Sequence, residues 1–527
     1  MDEARRTRKN LWMFPLGTVG RDMIYTLFTN FILTYILFTR SLTAAQLSAI
    51  TAIMVAARVF DALNDPIMGN IIERTRSRYG KFKPWLLAGI LLTSAVVYAA
   101  FNTRLEGWSF VAFFGFIYLM YSIAYTMHDI SYWGMVAALG SDEDTRNRFT
   151  SRATLFAGVG ATLASVVIPM FTTGEMAMGG NAETAYGRVA LIVCLLAPLF
   201  LCFTIFGVRE NRDEMKEKAP PVSFRKIWNT ITGNDQLLWI ALIFLVQQVG
   251  NNLVVGGIGS TYIYLAFGYR GGLYSLFTIV GVAATAFLMV FYPTISRHIT
   301  RKRLMGIMMA VSTVGYALTL GCGLLLSGGM TQFWLVTLGY MLSNFGQYCF
   351  YLMMMISIIN TVEYNEYRFG RRDEAIITSL RPFLTKMSSA VVAALTTVGY
   401  LIFGVTGYTN QISALEQQSA QGLLAEAEKL AQIDQVLSGV SSWQTRGLLL
   451  CMTVLPFALM LTAYLLYQKK YKLDEDEYRR ICRELEEKKR LFVKCWGKQD
   501  SQPVKCEHGS WKNGSLSNVG VRRIRNL

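Results

Sequence analysis

The sequence predicts an all-α membrane protein, with twelve transmembrane helices in two six-helix halves. Three observations predict it. The chain is 53% hydrophobic and only 16% charged over 527 residues, against about 25% charged in soluble domains. Its apolar residues fall in blocks long enough for the roughly 20 helical residues that cross a bilayer, as at 86–101, 189–208, 271–293, 304–326 and 448–467. A charged segment with the pair Pro220–Pro221 then interrupts the pattern midway. No stretch alternates as a membrane barrel does, so helices must satisfy the backbone in lipid.

Taken in order, the spans are expected near 12–38, 45–72, 85–102, 108–139, 150–173, 187–208, 237–267, 273–296, 303–327, 332–360, 375–405 and 445–468. The domains follow: residues 1–208 as a first six-helix bundle, 209–236 as a cytoplasmic linker, 237–468 as a second bundle and 469–527 as a cytoplasmic tail. Loop charge sets the orientation. Arg74, Arg76, Arg78, Lys81 and Lys83 fill one connection, and Arg297, Arg301, Lys302 and Arg303 fill its counterpart in the second half. Loops on the other side are short or nearly uncharged, apart from 409–442, which carries Glu416, Glu426 and Glu428. Positive loops stay inside, so both termini are expected in the cytoplasm and the protein in the inner (plasma) membrane. In the tail, 473–489 reads as a solvated helix and the Ser/Gly/Asn-rich end beyond Asp500 as disordered.

The net charge of +16 lies in these loops and the tail, which argues against a nucleic-acid partner. Cys194, Cys202, Cys322, Cys349 and Cys451 sit in apolar blocks and read as small hydrophobes. An enzyme has no support. None of the three histidines stands among the acids described next, and no nucleophile–base pair is visible. No cofactor is expected.

The informative residues are the ionisable ones inside spans. Each costs at least about 2.5 kcal/mol at mid-bilayer on the most lenient scale, so a group of them needs a reason. In the second span, Asp61 and Asp65 are four apart and share a helix face, with Asn64 bordering it and Arg58 nearby. Two carboxylates and an amide carbonyl are hard oxygen ligands suited to a small cation. They are equally able to hold a proton, since neighbouring carboxylates raise one another's affinity for it. In the fourth span, Tyr125, Asp129 and Trp133 recur every fourth residue with Thr126 beside them. A carboxylate between aromatic rings accepts hydrogen bonds from a polyol while a ring stacks on its apolar face. Asp22 adds an acid, and Arg58, Arg152 and Lys386 supply counter-charge. His128 points away from Asp129, and Gln247/Asn251 and Gln248/Asn252 read either as pathway lining or as bonds between helices.

The run Asp61-Ala62-Leu63-Asn64-Asp65-Pro66-Ile67-Met68-Gly69, followed by Arg74-Thr75-Arg76-Ser77-Arg78-Tyr79-Gly80-Lys81-Phe82-Lys83-Pro84-Trp85, resembles the signature of the glycoside–pentoside–hexuronide:cation symporters. This is the melibiose permease-like family of the major facilitator superfamily. Tyr125–Trp133 resembles its fourth-helix motif, and Glu363, Tyr364, Glu366 and Lys386 its tenth-to-eleventh-helix region. The resemblance spans roughly residues 10–470. It implies a major facilitator fold and uptake of a sugar or glycoside driven by Na+ or H+. It implies a cation surrounded by Asp61, Asn64, Asp65, Thr126 and Asp129, with Na+ allowed at Asp61, Asp65 and Asp129. A sugar would be contacted by Asp22, Tyr125, Asp129, Trp133 and Arg152, with Lys386 as an internal counter-charge. The pattern departs at Pro382, where melibiose permease has a hydroxyl residue, and at Arg381, which adds positive charge. That departure leaves the order of cations open and motivates an anionic sugar as one hypothesis.

The expected cycle is alternating access about a midplane site. The basic loop 74–83 is expected to close the cytoplasmic side, and Gly256, Gly257 and Gly259 to let the seventh span bend. A lipid or amphiphile carrier on the same fold would need an apolar cleft, which Trp133 beside Asp129 argues against. A non-transporting sensor would not need the doubled carboxylate.

Overall fold

A computed structural model of the chain describes residues 2–139, 143–208, 224–326 and 329–496. The first half consists of α1 (Asp2–Thr39), α2 (Ala44–Arg74), α3 (Lys83–Phe101), α4 (Gly107–Leu139), α5 (Glu143–Thr172) and α6 (Ala182–Gly207). A short helix, α7 (Phe224–Gly233), precedes α8 (Asp235–Asn252) and α9 (Gly259–Phe267), which together make one broken span. Then come α10 (Gly271–His298), α11 (Arg301–Leu325), α12 (Met330–Phe369) and α13 (Glu374–Ile402). Two helices, α14 (Thr406–Ala420) and α15 (Glu426–Ser438), precede α16 (Ser442–Lys470) and the final α17 (Glu475–Trp496).

Among the described residues, eleven helical stretches are long and apolar enough to cross a membrane. The 28-residue α10 adds a further helix of spanning length, reaching about 42 Å at 1.5 Å per residue. The helices form because side chains around their whole circumference are apolar and the backbone must close its own hydrogen bonds in lipid. Their ends are set locally. Thr43 and Gln46 form a capping box at the start of α2, and Gly370, at φ 66°, ends α12.

The seventh span breaks between α8 and α9, as its glycines predict. A π-helical turn occupies Val254–Ile258, with Gly257 at φ 130°. That conformation suits glycine alone. The break packs on α1 of the other half: Ser260 Oγ donates to Gly257 O at 2.8 Å and meets Thr34 Oγ1 at 3.2 Å.

Helices α1–α6 pack chiefly on one another, as do α8–α13 with α16; α2 crosses to α13 and α5 to α10. The two halves are apposed at the face opposite the termini, which we call the far face. There Gly271 N donates to Thr173 O at 3.2 Å, Ser275 Oγ donates to Val166 O at 2.7 Å, and Thr51 meets Thr397 at 2.6 Å. Phe38 packs edge-on against Tyr264 at 5.4 Å. One apolar core runs without interruption through the first half and the far ends of the second. The near ends of the second half form a separate core around Leu237, Met305, Met353 and Tyr467. Among the described residues the halves are therefore joined at the far face, and the near core belongs to the second half alone.

Three expectations change. The segment 409–442 holds two helices, α14 and α15. The tail helix α17 is docked, with Ile481 and Leu485 buried in the near core of the second half; its apolar stripe, diluted among Glu and Lys, gave it a solvated look. Lys83 of the basic loop donates to the carbonyls of Ile205 and Val208, both at 2.7 Å, so it caps the C-terminus of α6 within its own half. The linker residues 209–223, the tail beyond 496 and the side chain of Arg297 lie outside the described residues.

Candidate functional site

Helices α2 and α4 run side by side in the same direction, with matched rungs. Ser122 of α4 donates to Asp61 of α2. One turn on, Thr126 donates to Asp65 at 3.1 Å. Advancing four residues on both helices keeps each pair in register. Each carboxylate also has a cationic partner. Arg58 Nη1 lies 3.4 Å from Asp61, and Lys386 of α13 donates to Asp65 at 2.6 Å, joining the second half to the first. The two acids differ in access. The Asp61 side chain is 4% exposed and the Asp65 side chain 35%, so Asp65 is the carboxylate an ion can reach. Asn64 is buried, and among the described residues its Nδ2 has no hydrogen-bond partner. A buried amide left this way costs stability unless something else uses it.

A second cluster lies on α1 and α4. Arg21 bridges two acids, with Nη2 at 2.8 Å from Asp22 and Nη1 at 3.0 Å from Asp129. Its guanidinium also lies 5.0 Å over the ring of Tyr132 and 5.4 Å over that of Trp133. Arg21 is 4% exposed, Asp22 15% and Asp129 31%. A buried guanidinium thus holds two carboxylates that remain partly exposed. Tyr125 stacks on Tyr121 at 5.6 Å and tilts against Tyr25 at 5.1 Å. Carboxylates fixed by a planar donor, with half-buried Tyr125 and Trp133 alongside, can take the hydroxyls and the apolar face of a sugar ring.

Arg21 went unread in the sequence because it adjoins Asp22, and the acids drew attention first. A guanidinium in the middle of an apolar span was the available signal. Arg152, expected among the sugar contacts, is held elsewhere: it donates to Leu11 O at 3.3 Å and lies 5.0 Å over the Trp12 ring. Nor do Asp61, Asp65 and Asp129 converge on one point. Among the described residues no three His, Cys, Asp or Glu side chains gather as a metal site. The α4 backbone links the two clusters instead, since Thr126 and Asp129 are one turn apart. His128 is buried and bonds to Leu86 O at 3.0 Å, and Gln247 bonds between helices to Gln347 at 3.1 Å. Arg381 is exposed on α13.

The sequence matches the family of MFS/sugar transport proteins over residues 13–475. The chain belongs to this family. Membership agrees with the resemblance carried by residues 61–85, and it makes the protein a transporter and not an enzyme. Among relatives of the MFS/sugar transport family, the chain is 26% identical to a lactose permease of Lactobacillus helveticus, over 90% of this chain and 71% of that one. It is 26% identical to a raffinose carrier protein of Pediococcus pentosaceus, with the same coverage. In fold it is similar to a bacterial homologue of the human lysosomal transporter Spinster, in its inward-facing, unoccupied conformation. That match has a TM-score of 0.60 at 12% identity and covers 89% of this chain and 98% of the other.

Proposed function

We propose that this transporter is a sugar:cation symporter of the inner (plasma) membrane, with both termini in the cytoplasm. It couples one monovalent cation, Na+ or H+, to uptake of a sugar or glycoside. One observation carries the reading. The carboxylates Asp22, Asp61, Asp65 and Asp129 face three cationic side chains, Arg21, Arg58 and Lys386. One negative charge is left over, which a single monovalent cation neutralises. Relatives named for lactose and raffinose support a sugar as the cargo, and the basic near-side loops support the orientation.

Lys386 acts as a tethered cation. Its ammonium stands where a mobile ion would meet Asp65, with Thr126 and Asn64 supplying the neighbouring oxygens. An arriving cation displaces Lys386 from Asp65 and so releases α13 from α2. The same ion, held beside Thr126, fixes the turn of α4 that carries Asp129. Arg21 then presents Asp129 and Asp22 to the sugar hydroxyls, with Trp133 and Tyr125 alongside. Because both ligands act on this one turn, each raises the affinity for the other by the same factor.

Right-side-out vesicles supplied with labelled galactosides, and with hexuronides as the anionic alternative, test this directly. Accumulation above equilibrium under a Na+ or H+ gradient is the expected result. Equilibration without accumulation under every cation gradient would sink the symporter reading.

A further inference from the structure

The helices α14 and α15 form a cap on the far face. Both are inserted between α13 and α16, so the cap belongs to the second half, and Ile412 and Ile433 root it in the apolar core. Its polar side chains cross to the first half. Asn410 accepts from Leu42 N at 3.0 Å and donates to Leu42 O at 2.9 Å. Gln417 donates to Thr39 O at 3.0 Å.

The most buried crossings come from an ion pair within the cap. Glu416 and Lys429 are each fully buried and lie 3.2 Å apart. Both also bond to backbone of the first half: Glu416 accepts from Ala182 N at 2.6 Å, and Lys429 donates to Gly180 O at 2.7 Å. Ala182 is the first residue of α6, where free N–H groups and the helix dipole attract a carboxylate. Asn181 already caps Thr184 N. Glu416 is therefore a second cap on α6, supplied from the opposite half. The receiving turn is shaped for it. Gly179 and Gly180 have φ of 99° and 78°, and a Cβ on Gly180 would stand 3.1 Å from Glu426 Oε2.

Charges buried this deeply cost stability unless fully bonded. A rigid extracellular domain would not need them aimed at backbone across the moving interface. We propose that the Glu416–Lys429 pair is a latch: it holds the far face closed, and must open each time the site turns outward. This inference rests on alternating access, not on the identity of the sugar or the ion. Beneath the latch lie Thr34 and Ser260, buried and 3.2 Å apart across the halves.

Ser260→Cys placed in the full-length protein reports on that interface through an impermeant maleimide, read by mass spectrometry of the peptide carrying residue 260. Removing one latch partner strands the other charge, so the pair is replaced together as Glu416→Met/Lys429→Met. Labelling at 260 should then rise on the order of tenfold, as two charge-assisted crossings are lost. Asn410→Ala, which strands no charge, should raise it less, and amide exchange at Ala182 should quicken in the double variant. Unchanged or reduced labelling at 260 in the folded double variant overturns the latch, whatever Asn410→Ala does. The readout needs no sugar, so failure of the symport assay leaves it intact.

Discussion

Lys386 of α13 donates to Asp65 of α2 at 2.6 Å, and through that contact the second half holds the exposed carboxylate of the first. If the ammonium stands in for the coupling ion, Lys386→Gln removes a competitor and adds one negative charge to the cluster. Cation affinity, read by calorimetry, should rise by about tenfold, equivalent to about 1.4 kcal/mol at an exposed pair with an effective dielectric near 20 or more. Asp65→Asn should abolish cation-driven accumulation altogether. Weaker cation binding in Lys386→Gln would contradict the tethered-cation account.

If Asp22 and Asp129, bridged by Arg21, take the sugar, then Arg21 separates the sugar step from the cation step. Arg21→Lys keeps the charge but loses the fork that reaches Asp22 and Asp129 together. Sugar affinity should fall by on the order of 100-fold, consistent with two or more bonds to a charged group, while cation binding changes little. Calorimetric titration with sugar, with the coupling ion saturating, checks both. An equal loss of cation affinity would place Arg21 in both sites.

The extent to which the site was legible depended on what made each residue conspicuous. Asp61, Asp65 and Asp129 stood out because a carboxylate in an apolar span is costly, and the 4-residue spacing already aligned Asp61 with Asp65. Among their partners Arg58, Thr126 and Lys386 were legible, but Ser122 was not. A serine is ordinary in a membrane helix, and which hydroxyl meets which acid depends on the offset between α2 and α4, which no local pattern encodes. Arg152 and Arg21 are both arginines near α1 or α4, and only packing shows that one reaches the acids and the other Trp12. The spans were legible from hydropathy, whereas α14 and α15 were hidden by their polarity. Each buries a narrow stripe, and Glu416 read as a loop charge although it and its partner Lys429 are fully buried.

Gly271 begins α10 where it crosses α5, and a Cβ there would lie 1.7 Å from Pro169 O. Gly271→Ala should therefore wedge the far face apart. Labelling at a Ser260→Cys reporter should rise without any change to the cap, and the melting temperature should drop by several degrees for about 1–3 kcal/mol of overpacking. Unaltered labelling would show that this crossing does not hold the face shut.

The docking of α17 is predicted to depend on pH. Burial alone would raise Glu475, but the Arg301 N–H at 2.6 Å and the guanidinium at 3.1 Å outweigh it and hold the carboxyl below its usual range. Asp474 beside it is lowered as well, with burial again outweighed by hydrogen bonds from Glu477 N–H and Lys302. A depressed carboxylate stabilises the docked state above its undocked pKa, and that contribution is lost as pH falls through the docked value. Docking should be complete at neutral pH and weaken below about pH 4.5, the undocked glutamate value. Amide exchange along α17, corrected for the intrinsic pH dependence, would follow it; uniform protection down to pH 3 would contradict it. Glu475→Gln should release α17 at neutral pH.

The uninterrupted apolar core at the far face also gives the transport cycle a thermal signature. Turning the site outward parts Phe38 from Tyr264 and takes surrounding apolar surface into water. If the near-side loop 75–82, with Arg76, Arg78 and Lys81, buries less apolar area in coming together than the far face exposes, the exchange is uneven. The outward-facing state should then have the larger heat capacity. Because hydrophobic attraction weakens on cooling, chilling the membrane should tilt the resting population outward, and the equilibrium between the two faces should follow a curved, not a straight, van't Hoff plot.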